Sequence, residues 1–211
     1  MNRILFYPCC GADIANAINA FHPQVDCVHG ADIRSDSLGH LRACLGFVES
    51  TRTKHAFEVE CTTPSIHAAR NAPHVTTPPF GELIEGCITV RRGRTLELTF
   101  HRYDAVEALN QLNRIDVFFF RRDCPREGEG SSGLPFLGDT LFSRVVHRLS
   151  KNGLIVTDGA HMSGGGTQAA LWTAPHEQAP VGQYFTAFGR SFVCERALIS
   201  DRTPTLVWRA D

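Results

Sequence analysis

A short turn near the N-terminus carries the residues whose types and spacing best fit the binding of a nucleotide. Gly11 and Ala12 follow a predicted strand and precede a predicted helix. Small residues there allow a ligand to approach the free N–H groups of a helix N-terminus. Asp32 comes 21 residues after Gly11, at the end of the second predicted strand. Since an acid at about this spacing accepts hydrogen bonds from ribose hydroxyls in nucleotide-binding sheets, the pattern favours a ribose-containing ligand over a simple turn-capping role for Asp32.

The same turn differs from the glycine-rich turn that binds dinucleotides. A Gly-x-Gly-x-x-Gly pattern would be expected there, whereas Cys9 and Cys10 stand beside a single glycine. The missing glycines disfavour a pyrophosphate lying on the helix N-terminus. An NAD-dependent oxidoreductase is therefore the weakest of the functions that we consider.

Four residues farther along the chain are further candidates. Asp104 could offer its carboxylate to a ligand, or it could only cap the helix that follows it. Asp123 follows a buried strand, where open sheets bind ligands, and could act as a base or orient an accepting group; an ion pair with a neighbouring arginine is the alternative. Cys124 with His161 could form a nucleophile and its base, but a surface thiol is the simpler interpretation.

The eight cysteines lack the paired short spacings of a disulfide framework or a zinc ribbon. Reduced thiols are expected. Because the N-terminus also lacks the apolar run and cleavage site of a secretory signal, we expect a cytoplasmic location. Cys9, Cys10, Cys27 and His29 could be drawn as a zinc cluster, but the adjacent cysteine pair lacks the two-residue gap of known sites, so no metal is predicted.

Charge and hydropathy exclude several classes of partner. Lys and Arg total 21 against 22 Asp and Glu, for a net charge of −1. With no long basic stripe, binding to nucleic acid is not indicated. The apolar runs fall far below the roughly 20 residues that span a bilayer, so no membrane partner is expected. The sequence does not indicate an oligomeric state.

Short apolar runs alternate with amphipathic segments, which is typical of an α/β protein with a mostly parallel sheet. Ile14, Ala17, Ile18 and Phe21 show the clearest helical spacing, after a cap at Asp13. The predicted strands cover 3–7, 25–33, 83–90, 95–101, 115–120, 154–157, 184–197 and 205–209, and the predicted helices cover 13–21, 37–48, 104–112 and 139–149.

The length of 211 residues predicts a single domain over 1–211. An irregular insertion is expected around 49–94, because four prolines fall between residues 62 and 81. The segment 151–153 is expected to end the last helix. Two long loops, 121–138 and 159–183, are expected at the carboxyl edge of the sheet, where a site would lie.

Five segments in order resemble the landmarks of a class I, Rossmann-like S-adenosylmethionine-dependent methyltransferase. They are 4–13, Asp32, 104–105, 115–119 and 149–156. The resemblance implies a three-layer α/β fold with a mostly parallel, seven-stranded sheet that ends in an antiparallel hairpin, here within 184–209. The first motif is atypical, since it is poor in glycine.

The resemblance also implies roles for individual residues. In that family the loop after the first strand holds the methionine part of the cofactor, the acid after the second strand holds the ribose, and an acid after the third strand contacts the adenine amine. The end of the fourth strand faces the methyl acceptor, which makes Asp123 the candidate catalytic residue. The implied cofactor-binding residues are Cys9, Cys10, Gly11, Asp32, Asp104 and Ala105.

The first hypothesis is therefore methyl transfer from S-adenosylmethionine to an acceptor that the sequence does not identify, either a small molecule or an acceptor of unknown kind. The alternative is a methyltransferase-like protein without catalysis that acts as a binding or partner module. Asp32 favours the first hypothesis and Cys10, in place of a glycine, favours the second.

Overall fold

The computed structural model of the chain describes residues 2–22, 24–33, 35–58, 80–90, 93–121, 139–157, 181–200 and 203–211. They fall into two units, Met1–Gln111 and Leu112–Asp211. Strands and helices occur in both units, so the predicted α/β class is confirmed. The single domain predicted over 1–211 stays a prediction.

The first unit holds the N-terminal turn and three helices. The helices are α1 (Ile14–Phe21), α2 (Ser35–Leu45) and α3 (Ala105–Gln111), and a 3-10 turn over Gly11–Asp13 leads into α1. The strands are β1 (Ile4–Pro8), β2 (Cys27–Ala31), β3 (Val48–Glu58), β4 (Phe80–Thr89) and β5 (Thr95–Arg102), in the sheet order β3-β4-β5-β2-β1.

The strands that lead to the predicted site run parallel. Pro8 of β1 lies beside Ala31 of β2, which lies beside His101 of β5. The carboxyl ends of all three strands therefore meet at one edge, where residues 9–13, 32 and 103–105 leave the sheet. Strands β3 and β4 add antiparallel pairs on the far side of β5, so the sheet is mixed.

Close packing of α1 on β2 fixes the turn between β1 and α1. Ile14, Ala17, Ile18 and Phe21 are fully buried, as the helical spacing predicted. A Cβ atom on Gly30 would lie 2.5 Å from Ile14 Cδ1. The absence of a side chain in the middle of β2 thus lets the first turn of α1 approach the sheet.

The second unit begins with β6 (Ile115–Phe120), α4 (Asp139–Arg148) and β7 (Leu149–Thr157). It ends with β8 (Tyr184–Ala187), β9 (Arg190–Ser200) and β10 (Thr203–Ala210), and the strand order is β6-β7-β10-β9-β8. Strands β6 and β7 are parallel and the remaining pairs are antiparallel. The predicted antiparallel C-terminal arrangement is confirmed. Phe142, Phe185, Phe192 and Trp208 form an aromatic cluster in its core.

Several predicted boundaries were wrong. The run 184–197 forms two strands rather than one, because Phe188 and Gly189, with φ of 49° and 76°, turn the chain. Residues 151–153 lie within β7 instead of ending α4, and the pairing of β6 with β7 shifts register there. The described residues hold ten strands, more than the seven predicted.

The described parts of the segment 49–94 form strands, where an irregular insertion was predicted. Most of β3 and all of β4 lie within it and pair in antiparallel fashion. Residues 59–79, which include the four prolines that prompted this prediction, lie outside the described residues. So do most of the two carboxyl-edge loops, including Asp123, Cys124 and His161. No helix within the described ranges is long and apolar enough to cross a membrane.

Candidate ligand-binding site

A direct hydrogen bond joins the two residues that the sequence singled out first. The Gly11 backbone N–H donates to Asp32 Oδ2 over 2.7 Å. Gly11 has a φ of 45°, a left-handed conformation that glycine adopts at little cost. Asp32 is only 8 % exposed. Since its carboxylate is largely withdrawn from water, this charge-assisted bond is strong and holds the turn against the end of β2.

The backbone on either side of this contact is also fixed. The Asp32 N–H donates to the His101 carbonyl over 3.0 Å, and the Cys10 N–H donates to the Ala31 carbonyl over 3.0 Å. Asp32 is therefore held from two directions, by the turn after β1 and by the end of β5. A carboxylate fixed in this way is suited to receive a ligand without rearranging.

The two cysteines of the turn differ in conformation. Cys9 is half-buried and has a φ of 52°, which is uncommon for a residue with a side chain. Cys10 has a right-handed helical backbone conformation and is only 1 % exposed. Its Sγ would lie 3.2 Å from a Cβ on Gly30, so the thiol packs toward β2. Burial and, second, the nearby charge of Asp32 raise the pKa of Cys10, which keeps the thiol neutral.

Asp13 occupies the N-cap position of α1, but its side chain does not make the predicted capping bond. It accepts hydrogen bonds from the Tyr7 hydroxyl at 2.8 Å and from Asn16 Nδ2 at 2.6 Å. The bond to Tyr7 ties the turn to β1. Asp13 thus stabilises the turn through side-chain hydrogen bonds with Tyr7 and Asn16 rather than through a capping bond.

Asp104 caps α3, as one of its two interpretations predicted. Its Oδ1 accepts hydrogen bonds from the Val106 N–H at 2.8 Å and the Glu107 N–H at 3.2 Å. Asp104 is half-buried, whereas Ala105 is 4 % exposed and packs into the core. Both residues leave the sheet at the same edge as Asp32, because β5 is parallel to β2.

A buried polar chain next to this site has no counterpart in the sequence predictions. His29 Nδ1 lies 2.9 Å from His101 Nε2, and His101 Nδ1 lies 2.6 Å from the Tyr103 hydroxyl. Burial lowers the pKa of His29 to about 4 and that of His101 to about 3. The two histidines are 72 residues apart. Only the parallel register of β2 and β5 brings them together, so no local pattern could have found them.

The described residues contain no group of three or more His, Cys, Asp or Glu side chains placed to hold a metal ion. Cys27 and His29 do come together, with Sγ 3.5 Å from Nε2. Burial, ahead of the charges of Glu97 and Glu85, raises the pKa of Cys27 to about 11, so this thiol is neutral as well.

No protein-family model matches the chain, and no curated protein matches it. Similar solved structures include human methyltransferase-like protein 13 in complex with SAH, with a TM-score of 0.46 and 12 % identity over 99 % of this chain and 72 % of that one. Trm1 from Pyrococcus horikoshii with S-adenosyl-L-methionine has a TM-score of 0.48 and 10 % identity over 100 % of this chain and 50 % of that one. Ribosomal protein L11 methylase from Lactobacillus delbrueckii subsp. bulgaricus has a TM-score of 0.44 and 12 % identity, over 99 % and 70 % respectively.

Proposed function

We propose that the chain binds S-adenosylmethionine at the carboxyl edge of β1, β2 and β5 and transfers its methyl group to an acceptor. The observation that carries the proposal is the hydrogen bond of 2.7 Å between the Gly11 N–H and Asp32 Oδ2. It joins a tight turn after the first strand to an acid after the second, in a parallel sheet whose strand ends meet at one edge. The three-layer arrangement implied by the family resemblance is part of this proposal.

The residues at this edge fit such a cofactor. A carboxylate has room for about four accepted hydrogen bonds, so Asp32 can accept from both ribose hydroxyls while it keeps its bond to Gly11. The turn residues Cys9, Cys10 and Gly11 would lie along the methionine part, with the Cys10 thiol directed toward β2. Asp104, followed by Ala105, would accept from the adenine amine.

S-adenosylmethionine, when bound, supplies an electrophilic methyl group, and its transfer leaves S-adenosylhomocysteine. The contribution of the chain is to orient the acceptor in line with that methyl group and to exclude water. Asp123 would take the proton that the acceptor loses or hold the acceptor in place. The acceptor is a small molecule or a larger one. The alternative, a methyltransferase-like module without catalysis that has lost the cofactor pocket, would bind neither S-adenosylmethionine nor S-adenosylhomocysteine.

Calorimetric titration of the protein with S-adenosylmethionine, S-adenosylhomocysteine and NAD tests the proposal. We expect both adenosyl ligands to bind and NAD not to bind. The Asp32→Asn variant should weaken S-adenosylhomocysteine about tenfold or more, because each lost hydrogen bond to a charged group is worth about 1.5–3 kcal/mol. The matched control is Asp26→Asn, since Asp26 immediately precedes β2 and Asp32 immediately follows it.

Asp26 pairs with Arg94 and is exposed, with 41 % of its side chain accessible, so its variant should leave the affinity within about twofold. Absence of binding at millimolar ligand, a limit of about 4 kcal/mol, would overturn the proposal. Equal affinities for the Asp32 and Asp26 variants would remove Asp32 from the site.

A further inference from the structure

A chain of hydrogen bonds runs from β2 through β5 to α3, beside the proposed site but outside its cofactor contacts. Its central contact is the pair of ring nitrogens, His29 Nδ1 and His101 Nε2, 2.9 Å apart. Beyond it, His101 Nδ1 lies 2.6 Å from the Tyr103 hydroxyl, which donates to Gln111 Oε1 over 2.7 Å. His101 and Tyr103 are 2 % and 1 % exposed, so water does not substitute for these partners.

The bond from the Tyr103 hydroxyl to Gln111 Oε1 sets the direction of this hydrogen-bond chain. The Tyr103 hydroxyl uses its one proton on Gln111, so it must accept from His101 Nδ1–H. His101 Nε2 is then unprotonated and accepts from His29 Nδ1–H. His29 Nε2 in turn faces the Cys27 thiol at 3.5 Å. Both rings are therefore neutral and carry their proton on Nδ1.

This chain holds the strand end to which both proposed cofactor acids are attached. The His101 carbonyl accepts the Asp32 N–H over 3.0 Å. Tyr103 immediately precedes Asp104, the cap of α3. A shift of the His101 or Tyr103 backbone would thus move Asp32 relative to Gly11, whose N–H meets the Asp32 carboxylate at 2.7 Å.

We propose that His101 and Tyr103 are positioning residues, which fix Asp32 in its ribose-binding place through the hydrogen-bond chain that begins at His29. The proposal rests on the proposed function for the identity of the ligand. A hydrophobic pair of the same size would fill the core equally well, but it would not select one position of the end of β5.

Burial keeps both histidines neutral, and therefore the hydrogen-bond chain intact, at neutral pH. Burial lowers the pKa of His29 to about 4, against an opposing effect of Glu85 on β4. Burial and the neighbouring His29 lower the pKa of His101 to about 3. On the other sides are the neutral thiol of Cys27, near Glu97, and the Tyr103 hydroxyl, near Glu107 of α3. Two charged rings would place N–H against N–H, so strongly acidic pH breaks the chain.

Tyr103→Phe is the informative variant, because it removes one hydroxyl and leaves His101 Nδ1–H without its acceptor. The matched control is Tyr184→Phe, since Tyr184 is 75 % exposed. Amide hydrogen exchange followed by NMR gives a readout that needs no ligand. We expect the Asp32 and Gly11 amides to exchange about tenfold faster in Tyr103→Phe, which corresponds to about 1.4 kcal/mol, while buried β1 amides such as Phe6 change less.

A double-mutant cycle with Asp32→Asn gives the second readout. Tyr103→Phe should weaken S-adenosylhomocysteine about fivefold to tenfold in the wild-type background and leave its affinity unchanged in Asp32→Asn. Equal weakening in both backgrounds, or an exchange rate that rises equally at Asp32 and Phe6, would overturn the positioning role. If the wild-type protein binds no adenosyl ligand, the proposed function fails, and the exchange experiment still decides on positioning.

A third measurement uses the unmodified protein. Long-range ¹H–¹⁵N spectra of ¹⁵N-histidine distinguish the two neutral tautomers of each ring. The chain requires Nδ1–H at both His29 and His101 at pH 7. Different tautomers at the two rings would leave either two protons or none between His29 Nδ1 and His101 Nε2, and would overturn the hydrogen-bond chain. The Nε2–H form at both rings would reverse its direction and keep its contacts.

Discussion

At the scale of single residues, side chains at the candidate site have structural roles beside the binding roles that we propose for them. Asp104 is the clearest case, because its Oδ1 caps α3 through two backbone N–H groups. Sequence spacing alone allowed either a cap or a ligand contact. The structure confirms the cap, and the contact with adenine is proposed in addition to it.

Two substitutions of Asp104 separate these roles. Asp104→Ala should lower the free energy of unfolding by about 1 kcal/mol, because α3 loses its cap, whereas Asp104→Ser keeps a capping oxygen and should restore most of that loss. Both variants should weaken S-adenosylhomocysteine, since a serine hydroxyl is shorter and uncharged. Urea denaturation and calorimetric titration measure the two effects. Wild-type affinity in Asp104→Ser would limit Asp104 to the capping role.

At the scale of elements, the site depends on how closely α1 approaches β2. A Cβ on Gly30 would lie 2.5 Å from Ile14 Cδ1 and 3.2 Å from Cys10 Sγ, distances that require one of these side chains to move. The glycine in β2 therefore sets the position of the turn that carries Gly11. The sequence marked Gly11 as a ligand-approach position, but it gave no indication that Gly30 serves the packing of that turn.

Gly30→Ala should destabilise the protein by about 1–3 kcal/mol through overpacking. Ile14→Val removes the Cδ1 atom that the new methyl group would meet, so the double variant should be more stable than the sum of the single effects predicts. Thermal or urea unfolding of the three variants tests this. The control is Gly39→Ala in α2, where a Cβ meets nothing within 4 Å and should stabilise the helix by about 0.5–1 kcal/mol.

Elements with a local signal were predictable and those set by distant partners were not. The helical spacing of the apolar residues predicted α1 within one residue of its bounds, and the mostly apolar run 115–120 predicted the fully buried strand β6 at its bounds. The turn at Phe188 and Gly189 was missed, because both residues have positive φ and phenylalanine rarely adopts it. Strand β3 was missed as well, since its pairing with β4 is non-local.

The same distinction applies to the candidate site. One spacing singled out Gly11 and Asp32, and the structure places them within hydrogen-bond distance of each other. Their role in binding a ligand stays a prediction. The His29–His101 pair has no such signal, because its partners depend on the register between β2 and β5. The proximity of Gly11 and Asp32 was thus predictable from the spacing along a β–α–β unit, whereas the contact between His29 and His101 across strands required the fold.

At the scale of the whole molecule, the buried histidine pair links stability to pH. Folding lowers the pKa of His29 from 6.5 to about 4 and that of His101 from 6.5 to about 3. Below pH 6.5 the unfolded chain therefore binds protons that the folded protein does not bind. The contribution of the pair is fully present above pH 6.5 and is lost as the pH falls toward 4 and then 3.

We therefore expect the free energy of unfolding to fall between pH 6.5 and 4, by on the order of 3 kcal/mol for His29 alone. The double variant His29→Gln/His101→Gln lacks the two groups whose protonation drives this loss. Its free energy of unfolding should therefore depend less on pH between 6.5 and 4, even if the variant is less stable at pH 7. Urea denaturation at half-unit steps of pH measures the slopes. His147→Gln is the control, because His147 is exposed on α4 and its replacement should leave the slope unchanged. A double variant that loses stability as steeply as the wild type would show that other groups, such as carboxylates, account for the acid sensitivity.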